Sequence, residues 1–361
     1  VREEAQCVAE AGASAYDACL DEYEPGARAE TVARLFAELE RELAPLVQSA
    51  AGSARRPDAA AARCEFPLEA QVAFARATVA HIGFDFARGR LDAAPHPFCT
   101  GFGRDDVRLT WRADPHDFRP AFFGILHEAG HGLYEQGLPA AGERRPFGEA
   151  VSLGVHESQS RLWENLVGRS PAFWRGALPR LRAAHPAARA LDPARLLPLL
   201  HSVEPSLIRV EADQGTYDLH ILVRFELERA LIEGELAVED LPGAWNEAYA
   251  RRLGLTPRDA AEGVLQDIHW SMGAFGYFPT YTLGNLIAAQ LFAAAGRALG
   301  DLDAAFERGE FAPLLDWLRT HVHAHGSLHD APELVRRATG SALSAGEYLR
   351  ARRAEVREYY G

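Results

Sequence analysis

The sequence predicts a mainly α-helical protein with a small β-sheet near residue 110. Apolar side chains recur at spacings of three and four along most of the chain, which is the periodicity of helices with one buried face. Only Val107–Trp111 alternates in the manner of a strand. Neither an internal repeat nor a long low-complexity linker divides the 361 residues, so we expect one domain over residues 1–361.

The helices predicted from this periodicity cover most of the chain. Residues 83–102 are the main exception, because Gly, Pro and Asp recur there at short intervals and indicate irregular structure. The predicted helices are residues 29–50, 67–82, 119–136, 151–167, 193–201, 217–232, 241–253, 257–267, 283–299, 312–325, 333–339 and 345–359.

Composition excludes several functional classes. Hydrophobic residues make up 48% and charged residues 25%, which is typical of a globular protein. The net charge is −13, which argues against a nucleic-acid partner because phosphate binding needs a basic surface. The most apolar stretch, residues 283–295, is too short to cross a bilayer, and the first residues lack a basic segment followed by an apolar one, so we expect no signal peptide.

The four cysteines indicate the compartment. Cys7, Cys19, Cys64 and Cys99 are widely spaced and form no C-x-x-C pair. A disulfide framework needs a denser pattern, so we interpret each as a small buried hydrophobe in a reducing environment. The predicted location is the cytoplasm.

The main functional signal is H-E-x-x-H at residues 127–131, inside a predicted helix. His127 and His131 are about one helical turn apart, so their side chains lie on one face and can share a cation. Imidazole nitrogens suit zinc, which in catalytic sites takes three protein ligands and leaves a position for water. Glu128 follows the first histidine, where its carboxylate can act as the general base toward that water.

The third ligand is expected from the next predicted helix. Glu157 would complete the two-histidine, one-glutamate arrangement of thermolysin-like sites. The spacing alone leaves His156 and Glu164 open as competing ligands, because both lie on the same predicted helix.

Five motifs in order resemble those of the carboxypeptidase Taq family of metallocarboxypeptidases. They are D-x-R-x-T from Asp106, H-E-x-x-H from His127, H-E-S-Q from His156, I-R-V-E-A-D from Ile208, and G-x-x-Q-D-x-H-W from Gly263. The resemblance implies a helical zincin (gluzincin) fold related to angiotensin-converting enzyme and neurolysin, with a deep groove across the metal site. It also implies a homodimeric zinc carboxypeptidase of broad specificity, in which Co²⁺ is a possible substitute, acting on peptides with a free C-terminus.

The resemblance also implies roles for single residues. His127, His131 and Glu157 match the family's zinc ligands, and Glu128 matches its catalytic carboxylate. Arg209 is the candidate for binding the substrate's terminal carboxylate, which a guanidinium can do with two parallel hydrogen bonds. By sequence alone, a solvated helix charge is the favoured interpretation of Arg209, and the resemblance brings carboxylate binding level with it.

Other residues near the motifs have weaker assignments. His269 and Tyr281 are candidates for stabilising the oxyanion of the tetrahedral intermediate, against the alternatives of a packed aromatic and a buried hydroxyl. Val107–Trp111 resembles the substrate-binding edge strand of related peptidases. Two polar pairs complete the set: Asp106 with Arg108, interpreted as an internal ion pair, and Gln266 with Asp267, interpreted as orienting metal ligands or as capping a helix.

Two alternative functions remain open from the sequence alone. One is an endopeptidase or dipeptidyl peptidase of the same fold, and the other is a catalytically silent zinc-binding or scaffold protein. The family normally carries a long helical segment before the region matched by Tyr16, whereas this sequence has a short lead-in. We therefore expect either a fragment or a short form with a more open groove.

Overall fold

The computed structural model describes residues 1–62 and 65–361, and most of these residues are helical. Fifteen α-helices lie within the described ranges, joined by short 3-10 turns and loops. They are α1 (Arg2–Val8), α2 (Ala15–Asp21), α3 (Ala29–Gly52), α4 (Leu68–Ile82), α5 (Arg119–Gly137), α6 (Leu153–Arg161), α7 (Pro171–Ala184), α8 (Pro193–Leu200), α9 (Tyr217–Glu233), α10 (Leu241–Leu253), α11 (Pro279–Leu299), α12 (Leu302–Arg308), α13 (Ala312–His321), α14 (Ala331–Thr339) and α15 (Gly346–Tyr360).

The small sheet has three strands, β1 (Gly89–Ala93), β2 (Cys99–Gly101) and β3 (Val107–Trp111). The central strand is β3, which runs parallel to β1 and antiparallel to β2. The sequence prediction of a strand at β3 is confirmed, but its interpretation as an edge strand is wrong. Both sides of β3 are hydrogen-bonded to neighbours, so its backbone is not free to pair with a peptide.

The predicted helices agree with the structure to within a few residues, with three kinds of exception. Residues 83–102, predicted as irregular, contain β1 and β2. The prediction missed α1, α2, α7 and α12; α7 carries Pro179 in its interior, which weakened its helical pattern. Residues 257–267 form turns instead of a helix, because the Asp259 carboxylate accepts the N–H groups of Ala261 and Glu262 and so competes with helical bonding.

Two clusters of buried apolar side chains form the core, and α11 contributes to both. Ile287 and Leu291 pack in one cluster with α5, while Leu283 and Leu286 pack in the other with α9 and α10. A helix that is apolar on all sides is buried on all sides. Because α11 also packs against α6, and α6 packs against α5, this arrangement brings α5, α6 and α9 together beside α11.

The described cysteines are free and differ in burial. Cys19 is buried as expected, but Cys7 is exposed and Cys99 is half-buried, so the expectation of uniform burial is wrong; Cys64 lies outside the described residues. Across the described part of the chain, no helix combines the length and the apolar character needed to cross a membrane.

The start of α6 is held by side-chain and backbone acceptors from a distant part of the chain. Ser152 caps the helix by accepting from the N–H of Val155 at 3.1 Å, and the carbonyl of Tyr23 accepts from Leu153 at 2.9 Å. The buried carboxylate of Glu24 accepts from the N–H of Gly154. These contacts satisfy the free N–H groups of the first turn and so fix where α6 begins.

Replacement of Glu24 by Gln should change how stability depends on pH. Burial raises the pKa of Glu24 from 4.5 to about 7, so the folded state binds this proton more tightly than the unfolded state does. That stabilising contribution is fully present below about pH 4.5 and is lost as the pH rises through about 7. Gln keeps an acceptor for Gly154 and stays neutral, so the variant should match the wild type at pH 4.5 and be more stable by about 1–3 kcal/mol at pH 8. Urea unfolding at both pH values measures this; a difference that does not change with pH would contradict it.

Candidate metal centre

Helix α5 presents the two histidines of the H-E-x-x-H motif toward α6. The helix begins with Pro120 in its first turn, where a missing N–H costs nothing, and its apolar face is buried. His127 and His131 lie one turn apart with ring centroids separated by 4.9 Å. Because α5 packs closely against α6, both imidazoles face Glu157 on that helix.

Three ligand atoms converge at this crossing. One carboxylate oxygen of Glu157 lies 3.6 Å from Nε2 of His127 and 3.3 Å from Nε2 of His131. Two donors held by one tetrahedral zinc ion at about 2.0–2.1 Å are about 3.3 Å apart, so these separations fit a shared cation. Among the described residues, this trio alone brings three such ligand atoms within 4.8 Å of one another.

The other ring nitrogen of each histidine has a partner that fixes its tautomer. Nδ1 of His127 lies 2.9 Å from a carboxylate oxygen of Glu164 and so donates its proton there. Nδ1 of His131 lies 2.6 Å from Nδ1 of His156, whose Nε2 is 2.8 Å from Glu135. Since Glu135 accepts from His156, His156 in turn accepts from His131. Both Nε2 lone pairs therefore point to the shared position, as in metal sites whose histidines are held by outer carboxylates.

Glu157 is held in place by its own hydrogen bonds. Arg161, four residues later on the helix, donates from Nε to one carboxylate oxygen at 2.6 Å, and the Ser160 hydroxyl donates to the other at 2.9 Å. Burial would raise the pKa of Glu157, but Arg161 and the two histidines hold it well below its usual range. The carboxylate is thus ionised and oriented before any cation binds.

The protonation of the two histidines is consistent with a cation site. Burial lowers the pKa of His131 to about 4, so this ring is neutral and can donate a lone pair. For His127, burial acts in the same direction, but Glu157 and Glu164 outweigh it and raise the pKa to about 9. A divalent cation replaces that proton, because metal ligands must be deprotonated.

Glu128 lies beside the ligands and does not take part in the trio. Its side chain is buried, and burial raises its pKa to about 7, with His127 opposing and Glu157 adding to the rise. A carboxylate with a pKa near neutrality can both accept and return a proton.

Two glycines permit the close helix packing at the centre. A Cβ on Gly130 of α5 would lie 2.5 Å from the Cα of Ser160, and one on Gly284 of α11 would lie 2.6 Å from the Cγ of Glu157. Gly130 therefore reflects close packing of α5 on α6. The continuation of α6 is a π-helical turn, Leu162–Val167, which carries Glu164 against His127.

Arg209 belongs to a second buried group of polar side chains. Its Nε and one terminal nitrogen donate to Asp267 at 2.9 and 2.7 Å, and the other terminal nitrogen donates to the Tyr217 hydroxyl at 3.0 Å. Gln266 accepts from the backbone N–H of Arg209 and from Arg224. Gln266 and Asp267 therefore position Arg209, and the prediction that they orient metal ligands or cap a helix is wrong.

His269 and Tyr281 lie together near this second group. Nε2 of His269 is 3.3 Å from the Tyr281 hydroxyl, and the guanidinium of Arg209 lies 5.1 Å from the centre of the Tyr281 ring. Burial, followed by the positive charge of Arg209, lowers the pKa of His269 to about 4, so its ring is neutral. Burial raises the pKa of Tyr281 well above its usual range, against the opposing positive charge of Arg209, so the phenol is protonated.

Two residues that connect the metal centre to the polar group around Arg209 were not identified from the sequence. Arg161 and Tyr217 connect the two groups, because the Arg161 guanidinium stacks 4.4 Å above the Tyr217 ring. The spacing of Arg161 four residues after Glu157 could have revealed its ion pair.

Asp106 and Arg108 form the expected pair, with both side chains about half exposed, and such a pair contributes little to stability.

The mainly helical fold and this two-histidine, one-glutamate centre define a metallopeptidase-type site. The family described as carboxypeptidase Taq (M32) metallopeptidase matches residues 1–356. Thermostable carboxypeptidase 1 of Thermus thermophilus is 52% identical over 334 residues, and carboxypeptidase 1 of Bacillus subtilis is 42% identical over 330 residues. The matches cover 92% and 91% of this chain, and the chain spans 66% of the length of each relative.

Solved structures give the same result. An M32 carboxypeptidase from Deinococcus radiodurans superposes with a TM-score of 0.93 at 44% identity, over 96% of this chain and 70% of that one. Metallocarboxypeptidase 1 of Trypanosoma cruzi gives 0.92 at 36% identity, over 100% and 72%. The chain belongs to the carboxypeptidase Taq (M32) metallopeptidase family, and its donor trio fits the divalent cation that a metallopeptidase requires.

Replacement of Gly284 by Ala should weaken cation binding. The new Cβ would lie 2.6–2.7 Å from the side chain of Glu157, which is buried and cannot move without losing its contacts. We expect about 10–100-fold weaker binding and a loss of about 1–3 kcal/mol in stability. Competition with a chelator and thermal unfolding measure the two effects.

Gly296 on the same helix provides the matched control. A Cβ there meets only a Leu302 methyl group at 3.8 Å, so Gly296→Ala should bind the cation as the wild type does and gain up to about 1 kcal/mol in stability. Equal cation affinity in both variants would show that the contact of Gly284 with Glu157 is unimportant.

Proposed function

We propose that this protein is a zinc-dependent carboxypeptidase that hydrolyses the last peptide bond of peptides with broad side-chain tolerance. The observation that carries the proposal is the convergence of His127, His131 and Glu157 beside a buried Glu128 that remains free to move a proton. Imidazole and carboxylate donors at tetrahedral spacing suit zinc, with Co²⁺ as a possible substitute. When bound, the ion acts as a Lewis acid toward the scissile carbonyl and the attacking water.

Glu128 is the proposed general base and acid. Its pKa of about 7 lets the carboxylate take a proton from the attacking water and later deliver that proton to the leaving amine. Burial serves both steps, because it keeps bulk water from competing for the proton.

His269 and Tyr281 are the proposed donors to the developing oxyanion. The neutral His269 ring and the protonated Tyr281 phenol can each donate a hydrogen bond without adding a charge to the site. Donors of this kind are typically worth about 2.7–4 kcal/mol in the transition state.

Arg209 is the proposed partner of the substrate's terminal carboxylate. Asp267 and Tyr217 use three of its five N–H donors, which leaves one N–H on each terminal nitrogen. Two such donors match the two oxygens of a carboxylate. Because Arg209 is only 6% exposed, a carboxylate that reaches it loses water and binds more strongly.

An extended substrate would pair with β2, an edge strand of the sheet. Glu128 and Glu135 both contribute to the raised pKa of Cys99 on β2, after burial, so this strand runs beside the catalytic carboxylate. Backbone pairing along an exposed strand edge orients a peptide without reading its side chains, which agrees with broad specificity.

Three further properties are part of the proposal. Residues 1–361 act as one metallopeptidase domain, since α11 is shared by both core clusters. The protein works in the cytoplasm as a homodimer and has no nucleic-acid partner. The exposed apolar side chains of Leu265, Ile268 and Met272 support the homodimer. The strongly negative net charge supports the absence of a nucleic-acid partner.

Replacement of Glu128 by Gln should abolish turnover and leave the cation bound. The amide keeps the size of the side chain and cannot accept the proton, so kcat should fall by about 10²–10⁴-fold. Release of the last residue from an unblocked peptide measures kcat, and elemental analysis measures bound metal.

Glu69→Gln is the control for this variant, because Glu69 is exposed on α4, away from the site. It should keep full activity. Robust turnover by Glu128→Gln would rule out the assigned role, whereas a wild type that binds zinc but never cleaves would favour a silent scaffold.

Replacement of Arg209 by Ala should raise KM for peptides with a free C-terminus. The substrate carboxylate loses a charged partner worth about 1.5–3 kcal/mol, so kcat/KM should fall by about 10–150-fold. Amidated peptides, which the carboxypeptidase cleaves poorly, should show little further loss.

A comparison of free and amidated peptides distinguishes a loss of carboxylate binding from a general loss of folding. Because Asp267 would lose one of its two arginine partners, circular dichroism of Arg209→Ala must first match the wild type. Equal losses on both substrates would refute carboxylate binding, and efficient wild-type cleavage of peptides blocked at the C-terminus would favour an endopeptidase.

A further inference from the structure

The two carboxylate oxygens of Glu157 lie in different environments. Oε2 is 3.6 Å from Nε2 of His127 and 3.3 Å from Nε2 of His131, so it faces the position of a shared cation. Oε1 lies instead against Arg161, whose Nε donates a hydrogen bond to it at 2.6 Å. The side chain of Glu157 therefore offers one oxygen to a cation and the other to a guanidinium group.

The oxygen that faces the histidines can be released to a cation at little cost. Oε2 of Glu157 accepts a hydrogen bond from the Ser160 hydroxyl at 2.9 Å. That hydroxyl carries one hydrogen and has a second acceptor, the backbone carbonyl of Glu157, at 2.7 Å. When a cation binds Oε2, Ser160 can turn its hydrogen to the carbonyl, so no buried donor loses its partner.

The other oxygen is held much more firmly. Arg161 lies four residues after Glu157 on α6, where a pair of opposite charge meets side by side, and its side chain is only 14% exposed. Its guanidinium also lies 3.5 Å from the carboxylate of Glu164 and 4.4 Å above the ring of Tyr217. Separating Arg161 from Oε1 would leave two buried charges less well paired, which is costly.

We propose that Arg161 is a positioning residue that restricts Glu157 to binding the metal ion through one oxygen. Binding through both oxygens requires the carboxylate to turn until Oε1 and Oε2 are about equally distant from the ion, and this turn breaks the hydrogen bond from Arg161 to Oε1. The restriction follows from which oxygen each neighbour contacts, because Oε2 is the oxygen nearer both imidazoles.

The restriction matters for catalysis, and in this respect the proposal rests on the zinc site of the proposed function. A catalytic zinc ion takes three protein ligands, keeps a further position for water and sometimes expands to five ligands in the transition state. A second oxygen from Glu157 would occupy a position that the attacking water and the scissile carbonyl need. Arg161 keeps that position open without touching the ion or the substrate.

The visible spectrum of the Co²⁺-loaded protein tests the proposal, because four-coordinate Co²⁺ absorbs more strongly than five-coordinate or six-coordinate Co²⁺. The wild type should give the intense four-coordinate spectrum. Arg161→Met fills the space of the arginine stem and has no N–H, so Glu157 should bind through both oxygens and the absorption should fall. An unchanged spectrum would overturn the proposal. Loss of the ion would also overturn it, because Arg161 would then merely support the fold.

Two further variants serve as controls. Arg161→Lys keeps a cationic donor within reach of Oε1, so it should keep the four-coordinate spectrum. Arg175→Met changes an exposed arginine on α7 that pairs with Glu307, and it should behave as the wild type. The kcat of Arg161→Met should fall by about 10–100-fold with little change in KM, and Arg161→Lys should recover most of the loss. Equal loss of absorption in Arg161→Met and Arg175→Met, or in Arg161→Met and Arg161→Lys, would contradict the proposal.

A crystal structure of the zinc-loaded wild type gives a test that does not depend on the folding of any variant. Oε2 of Glu157 should lie about 2.0–2.2 Å from zinc, with Oε1 outside bonding distance and still bonded to Arg161. Both oxygens at bonding distance would overturn the proposal even in an active carboxypeptidase. One-oxygen binding in a protein that cleaves no peptide would support the proposal and would contradict the proposed function, so the two can fail separately.

Discussion

The structure depends on the requirement that two imidazoles lie within 3.6 Å of one carboxylate oxygen in an interior largely closed to water. Such groups are costly to bury unless every remaining nitrogen and oxygen has a partner. His127 and His131 meet that condition through Glu164 and through the relay of His156 and Glu135. These polar partners are therefore required for folding of the site, because without them the two histidines could not be buried in this geometry.

Helix packing supplies the short distances, and glycine makes that packing possible. The Cα of Ser160 lies where a side chain of residue 130 would begin, and the Glu157 side chain fills the space over residue 284. A larger residue at either point would push α6 away from α5 or α11. The ligand geometry is thus set by backbone contact, and the apolar faces of α11 in both core clusters keep that contact from loosening.

Sequence patterns predicted most of the helices and the two histidine ligands, because both depend on short-range spacing, whereas Glu157 was preferred over His156 and Glu164 through the family resemblance. H-E-x-x-H places two histidines on one helical face whatever surrounds them. What the sequence could not give was the arrangement between elements: β3 lies between two strands, and the turns around Asp259 replace a predicted helix. Those outcomes depend on tertiary pairing and on side chains that capture backbone N–H groups, and neither has a periodic signal.

Long-range contacts also explain why Arg209 was the hardest residue to interpret. Its partners, Asp267 and Tyr217, are 58 and 8 residues away in sequence, so no local pattern distinguishes it from a solvated arginine. In the fold, a continuous chain of contacts runs from Glu157 through Arg161 and Tyr217 to Arg209. That chain fixes the distance between the metal position and the proposed carboxylate-binding guanidinium. Because a peptide bond and its terminal carboxylate are one residue apart, a fixed distance of this kind would select the last bond whatever the side chain, given the proposed role of Arg209.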